Sequence, residues 1–555
     1  MTITAPENPD LAPADEAAVG SAISSPAPER PAVRIRRRAV AWLARPENAV
    51  PLAIFVVALV IGTWNVAGSP AFQDDEGTYV AQAVAVQNGT LAPYTYWYDH
   101  PPLGWIQLAA LGWIPQLLGL GGGSDLAAMR YVSAFLFAVT ATMIFLLARR
   151  IRISLPFALA AATIFVCSPL SLTLGRQVFL DTVGMPWVLL ALYLALSPRR
   201  ALWDHVAAGV AFAIAILSKL TLAAFGPALL LATVGQHRWR GRSFSVVAFL
   251  TIGALVIALY PLMALLRGEL LAGPDHVSLQ DALAYQFLSR SGSGWIWEAG
   301  SSRHELLTSW FFLDGYIIVG GVAGALVCAF AASTRWISVA IVCFALPIVA
   351  SQGYLPAMYI IGALPLLSLA IGAGAFLTWS GLQSLLRNRM PATRAGGPLA
   401  AAVIGLLVVL IPLEQWVARG TPLLMADENR DWRRTLEWVD RHLPREDVVV
   451  VPYSLWQDVD KLGWNDPWRA IVLEKVDLDS EFDAVHPGGW RDIDWIIDGP
   501  TVAPNIDYLG LETARQAYDN SRVVVSFGAW NVRQVHDSEI APPHADATRD
   551  EGNDQ

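Results

Sequence analysis

Between residues 49 and 416 the chain repeats apolar stretches that approach the roughly 20 residues a helix needs to cross a bilayer. Few folds other than a multi-pass membrane protein can absorb so many. Composition agrees: 54% of residues are hydrophobic and 15% charged, with mean hydropathy +0.44, whereas soluble domains carry about 25% charge. Eleven spans are predicted, at 49–67, 130–148, 154–174, 182–197, 206–218, 220–235, 244–266, 312–333, 336–351, 355–376 and 398–416. Residues 206–235 would be ~45 Å long as one helix, too long for a ~30 Å core. Lys219 would also sit at its centre, so two helices turning at Ser218–Leu220 are expected. The apolar segment 103–120 is expected to lie along the outer surface rather than to cross. With it outside, the inward loops hold twelve basic residues, among them Arg149, Arg150, Arg152, Arg199, Arg200 and Arg335, against six at the outer edges; if it crossed, the positive-inside bias would reverse.

Charge separates the chain into two parts. From Val417 onward there are 27 acidic and 14 basic residues, a net of −13, leaving about +4 on the first 416. A basic membrane domain (49–416) is therefore followed by an acidic, water-soluble one (417–537). The acidity of this part argues against a nucleic-acid partner, which needs a basic face. Residues 1–48 and 538–555 are polar and proline-broken and are expected to be disordered tails. The start has no cleavable signal pattern, and Arg34–Arg38 and Arg45 would hold the N-terminus in the cytoplasm. An odd number of spans then puts the C-terminal domain outside a plasma (inner) membrane. Cys167, Cys328 and Cys343 all lie in apolar runs and give no disulfide or metal signal.

Within the acidic domain, DWRRTLEWVDRHL (431–443) has a helical apolar face, VVVVPY (448–453) and DWIID (494–498) read as strands, and VVVSF (523–527) with WNVRQV (530–535) as a hairpin. A small α/β domain follows. Its eight tryptophans suit a core or a sugar-stacking surface. It contains no Gly-rich phosphate loop, nucleophile elbow or metal-ligand spacing.

Chemistry concentrates just after the first span, in FQDDEGTYVAQAVAVQNGTLAPYTYWYDHPPLGW. Asp74, Asp75 and Glu76 are consecutive acids at the start of a helical pattern. Helix capping needs one acid, and three adjacent like charges repel. Tyr94, Tyr96, Trp97 and Tyr98 follow as an aromatic cluster, for which interfacial anchoring is an equal account.

The acidic pair after the first span and HPPLG some twenty-five residues later resemble the protein O-mannosyltransferases. A related pattern marks the lipid A aminoarabinose transferases. MRYVSAFLFAV (129–139), SLTLGRQVFLDT (171–182), the SKLT turn and YLPAMYIIGALPLLSLA (354–370) extend the resemblance over about residues 49–376. It implies a mainly α polytopic membrane protein of the C-type glycosyltransferase fold with a C-terminal soluble α/β domain. The implied activity moves a sugar, mannose- or arabinose-like, from a polyprenyl-phosphate donor to an acceptor hydroxyl on a glycan, lipid or protein at the outer face, with inversion. The family's catalytic aspartate falls on Asp75 and its neighbouring acid on Glu76; Asp74 is an additional acid. An inverting transfer needs a carboxylate to take the acceptor's proton, and the departing lipid phosphate needs positive charge. Lys219, Arg176, His100 and Arg130 are the expected phosphate ligands, with Tyr79 also on the donor side. Snorkelling of Lys219 and an Arg176–Asp181 ion pair are the structural alternatives. No cofactor follows from these residues, although three adjacent acids are compatible with a divalent cation.

The second outer segment carries YQFLSRSGSGWIWEAGSSRHELL (285–307). Arg290, Arg303 and His304, interleaved with Trp295, Trp297, Gly and Ser, suit either a lid over a lipid-linked donor or a solvated linker. A flippase for lipid-linked sugars remains the competing function. It would be expected to keep ionisable groups at the midplane and an internal repeat, and neither is legible.

Overall fold

The computed structural model describes residues 46–199, 201–235, 239–273, 276–389 and 397–536. The N-terminal tail with Arg34–Arg38, the loop residues Arg200, His237 and Arg238, Arg394, and the C-terminal tail lie outside the described residues. Met1–Val50 and Pro51–Gln555 cluster as separate units, and all that follows concerns the second.

Every apolar stretch read as a span is helical, and the chain is a multi-pass membrane protein. Four helices are long and apolar enough to cross alone: Asp125–Arg150, Phe244–Leu266, Ser302–Ala329 and Ala357–Leu385. Two bent pairs, Leu155–Cys167 with Pro169–Arg176 and Gly397–Leu410 with the helix from Leu413, reach span length together, and five shorter apolar helices account for the rest. Their outer faces are apolar, with Phe330 89% and Leu266 80% exposed, as a lipid solvent permits and water does not. Inner contacts use small residues. A Cβ added to Gly324 would stand 2.3 Å from the Ala370 carbonyl oxygen, so the helices of Ser302–Ala329 and Leu364–Arg389 cross there backbone to backbone.

The elements that carry the site are α1 (Pro46–Thr63), α2 (Asp74–Gln87), α3 (Leu103–Leu117), α4 (Asp125–Arg150), α5 (Leu155–Cys167), α6 (Pro169–Arg176), α7 (Leu180–Ala195) and α8 (Leu202–Ser218). Helix α8 ends at Lys219, whose φ −155°, ψ 115° break the chain before a 3₁₀ turn; the expected turn is there. Segment 103–120 forms α3, about 22 Å long. Its Trp105, Leu108 and Gly112 face the protein, while Trp113, Ile114 and Leu117 are exposed.

The helix Leu413–Met425 carries through residue 417, so the chain leaves helical structure only at Ala426. Beyond it, Arg430–His442 precedes a five-stranded sheet of order β2-β1-β3-β5-β4. The strands are β1 (Val449–Val451), β2 (Ala470–Val472), β3 (Trp495–Asp498), β4 (Ser521–Phe527) and β5 (Trp530–Val535). Strands β2, β1 and β3 run parallel, and β5 pairs antiparallel with β3 and β4. Strand β2 is the element the sequence pattern did not announce, because three residues, AIV, carry no period. Trp432, Trp456, Trp464 and Trp530 are buried among Val449, Val451 and Val532, so four of the eight tryptophans serve the core.

Candidate functional site

A cavity of about 490 Å³ opens where α2, the aromatic loop 92–99 and the C-terminal α/β domain meet, with Arg290 and Tyr354 closing one side. Helix α2 contributes four residues to its lining, Asp74 and, at helical spacing, Asp75, Thr78 and Gln82.

The three consecutive acids have three different fates. Glu76 is fully buried and turns away from the cavity. It accepts from Arg130 Nη2 at 2.5 Å and Nε at 2.8 Å, from the Val178 amide at 2.9 Å and from the Gln177 side chain at 3.2 Å. Arg130 spends its other donors on the carbonyls of Val66, Pro70 and Ala71. This is a saturated clamp that holds the start of α2 against the loop before it. Asp74 lies in the cavity wall but is spoken for: its oxygens accept from the Ser454 amide at 3.0 Å and the Thr501 hydroxyl at 2.5 Å, which docks α2 onto the C-terminal domain. Gly77 makes that contact possible, since a Cβ there would lie 2.0 Å from the Tyr453 carbonyl oxygen.

Only Asp75 reaches the cavity free. No hydrogen bond to it forms among the described residues. Its carboxylate keeps access to cavity solvent but is surrounded by protein, and this desolvation raises its carboxyl above the usual aspartate range, with Lys219 opposing and Asp74 adding to the rise. Asp99, also on the cavity wall, is raised by burial as well.

Beside Asp75 stands a polar cluster. Lys219 is 4% exposed, lies 2.9 Å from His100 Nε2, 3.9 Å from Asp181 Oδ2 and 5.8 Å from the Tyr79 ring centroid. Burial and the neighbouring Lys219 hold His100 well below the usual histidine range, so the imidazole is neutral and accepts from the ammonium. His100 therefore orients a cation rather than being one. Arg290 lines the cavity, packed 3.4 Å over the Tyr354 ring and tethered to Gln286.

The remaining cations expected at this site are elsewhere. Arg176 donates to the carbonyls of Trp64 and Leu423, tying α6 to the end of α1 and to the helix from Leu413. It does not pair with Asp181, which faces Lys219 instead. Arg303 is 1% exposed and donates to the carbonyls of Pro347, Ile348 and Gly353, so the second outer segment is anchored by it. His304 Nδ1 is bonded to the Ile296 carbonyl at 2.9 Å. Buried arginines cannot be told from ligand-binding ones by sequence when their partners are backbone carbonyls. The three acids diverge, and among the described residues no three His, Cys, Asp or Glu side chains converge to hold a metal.

Cavity residues absent from the sequence-based set are Asp99, Trp97, Tyr354, and Tyr453, Glu474, Lys475 and Thr501 of the C-terminal domain. Asp99 stands next to His100 in DHPPLG and could have been found there. The C-terminal group shares no local motif and is assembled only by the sheet.

Of the three consecutive acids, the geometry leaves Asp75 free to face the cavity, with Arg290 in the lining and the buried Lys219 in electrostatic reach: a base and counter-charges for a departing anion. Comparison with known proteins bears on the fold and on the sequence of residues 99–264. Residues 99–264 match the family model described as dolichyl-phosphate-mannose-protein mannosyltransferase. No curated protein matches the chain. Among solved structures, the apo ArnT of Cupriavidus metallidurans superposes with TM-score 0.56 at 16% identity, covering 91% of this chain and 100% of ArnT. The same protein bound to undecaprenyl phosphate gives 0.55 at 14% identity, covering 89% and 99%. The oligosaccharyltransferase AglB of Archaeoglobus fulgidus, in complex with an inhibitory peptide and a dolichol-phosphate, gives 0.50 at 13%, covering 90% of this chain and 75% of AglB. Over nine tenths of its length the chain therefore has the C-type glycosyltransferase fold of these membrane proteins, and residues 99–264 resemble the mannosyltransferase family model.

Proposed function

We propose that the protein is a glycosyltransferase that moves a mannose- or arabinose-like sugar from a polyprenyl-phosphate donor to an acceptor hydroxyl, with inversion, on the outer face of the plasma membrane. Eleven spans with a cytoplasmic N-terminus would place α2, α3 and the α/β domain together on that face. One observation carries the reading: Asp75 is the only one of the three acids left unpartnered among the described residues, and it lines a cavity with Arg290, within electrostatic reach of the buried Lys219. Asp75 takes the proton of the acceptor hydroxyl as its oxygen bonds to the anomeric carbon. The bond from that carbon to the phosphate oxygen breaks, and its electron pair leaves with the lipid phosphate. Lys219, oriented by neutral His100, and Arg290 stand where negative charge grows on the phosphate. The ArnT structure bound to undecaprenyl phosphate and the AglB structure with a dolichol-phosphate support a lipid phosphate as the donor's carrier. Glu76 and Arg130 hold α2 in place, and Asp74 docks it.

The test is to incubate the purified protein with a labelled polyprenyl-phosphate sugar and candidate acceptors in lipid nanodiscs. Label should pass to an acceptor and lipid phosphate should be released. In sealed vesicles, movement of the intact donor across the membrane with no bond cleavage would identify a flippase and overturn the reading.

A further inference from the structure

The C-terminal domain meets the cavity with one particular edge. Tyr453 follows β1 by two residues, Glu474 and Lys475 follow β2, and Thr501 follows β3. All three parallel strands therefore deliver their carboxyl ends to the cavity. Strand β1 lies between β2 and β3, so successive strands are added on opposite sides of it. That switch in order opens a crevice at the carboxyl ends, the place where open α/β sheets bind ligands.

Two oxygens of the cavity lining, one from α2 and one from the α/β domain, lack partners among the described residues. Gln82 Oε1, on the same face of α2 as Asp75, and Glu474 Oε2 are shielded from solvent yet accept no hydrogen bond among the described residues. The other Glu474 oxygen accepts from the Asn505 amide at 3.2 Å, which fixes the carboxyl's direction. Buried acceptors left unsatisfied are rare and costly; both call for hydroxyl or amide donors. The lining is also aromatic: Trp97, with the Lys475 ammonium 4.4 Å from its ring centroid, and Tyr508, 61% exposed. Carboxyl groups (Asp74, Asp75, Asp99, Glu474) outnumber cations (Arg290, Lys475) around the cavity, which disfavours a polyanionic acceptor. The volume, about 490 Å³, falls in the ordinary range of ligand pockets, about 300–1,000 Å³.

We propose that the crevice between Gln82 and Glu474 is an acceptor subsite for a neutral glycan, whose hydroxyls satisfy the two orphan oxygens while one hydroxyl is presented to Asp75. The proposal rests on the transferase reading above and names its acceptor class. Paired acceptors beside aromatic rings suit the hydroxyl pairs and C–H faces of sugar rings. A peptide would need partners for its backbone.

The experiment offers the full-length protein three acceptors with one labelled lipid-linked donor: a neutral linear hexose tetrasaccharide, a Ser/Thr-containing peptide and a bisphosphorylated glucosamine lipid. The tetrasaccharide should be extended. Glu474→Gln and Gln82→Leu, on separate elements, should each raise the tetrasaccharide KM by about ten-fold or more, and raise it by a larger factor than they lower kcat. Tryptophan-fluorescence titration with the tetrasaccharide, without donor, should show the same weakening. Extension of the peptide or the phosphorylated lipid instead of the tetrasaccharide overturns the proposal. So does a loss in both variants confined to kcat and melting temperature. If the donor is consumed while the tetrasaccharide neither binds nor reacts, this inference fails and the transferase reading stands. Tetrasaccharide binding that depends on Glu474, in a protein that cleaves no donor, would uphold the glycan subsite and overturn the transferase reading.

Discussion

At the residue scale, the run Asp74-Asp75-Glu76 shows what sequence can and cannot assign. Three adjacent acids were legible as an anomaly, because capping needs only one. Their division of labour was not, because each role is set by residues far along the chain: Arg130 for Glu76, Ser454 and Thr501 for Asp74. Asp75→Asn should lower kcat by on the order of 10²–10⁴, the usual contribution of a general base, with donor binding retained. Asp74→Asn keeps an oxygen for Ser454 or Thr501 and should cost about 1–2 kcal/mol of stability and far less turnover. Comparing kcat and melting temperature for the two variants checks both, and a reversal would move the base by one residue. The pH profile follows from the raised Asp75 carboxyl. The base works deprotonated, so kcat should fall on acidification at a pH above the ordinary aspartate range, and removing the opposing charge with Lys219→Met should shift that limb further upward. Lys219→Met should also cost on the order of 10²–10³ in rate, as loss of one aimed donor typically does. An unchanged rate with a lowered melting temperature would make Lys219 a structural anchor.

At the element scale, helix α2 is positioned by a clamp that never touches the cavity. Arg130 and Glu76 are both wholly buried, and breaking such a pair leaves an uncompensated charge. Arg130→Met should therefore cost about 3–5 kcal/mol, visible as a fall in melting temperature, while the folded fraction keeps its acceptor KM. A large selective rise in donor KM in this variant, with stability intact, would instead return Arg130 to the phosphate. Sequence placed Arg130 and Arg176 on the outer side and expected them at the phosphate, since motif order says nothing of which way a side chain turns. The helical spans and the break at Lys219 were legible because length and desolvation cost allow few solutions. Strand β2 and the cavity residues behind it were not, because parallel pairing joins β1 to β2 and β3 across tens of residues and leaves no local signature.

At the scale of the whole molecule, the candidate site exists only while the α/β domain is docked. Besides the Asp74 contacts, Asp458 accepts from the Ser124 hydroxyl and the Asp125 amide, both at 2.7 Å, Lys461 reaches Asp125 at 2.8 Å, and the Tyr94 hydroxyl donates to the Pro467 carbonyl. All of these join the α/β domain to the segment between α1 and α4. Helix α3 belongs to the same segment, so the side of the membrane on which α3 lies fixes the side of the whole cavity. In the orientation proposed above, the excess of arginines in the alternate loops keeps those loops in the cytoplasm and would leave the cavity outside. Cysteines introduced at two exposed positions test this: Ser480, in the α/β domain, and Arg199, in the loop after α7. In cells expressing a variant without Cys167, Cys328 and Cys343, a membrane-impermeant maleimide should label Ser480→Cys directly. Arg199→Cys should react only after permeabilisation. Labelling of position 199 in intact cells, with protection of position 480, would invert the protein and put donor cleavage on the cytoplasmic face, where the acceptor would also have to be found.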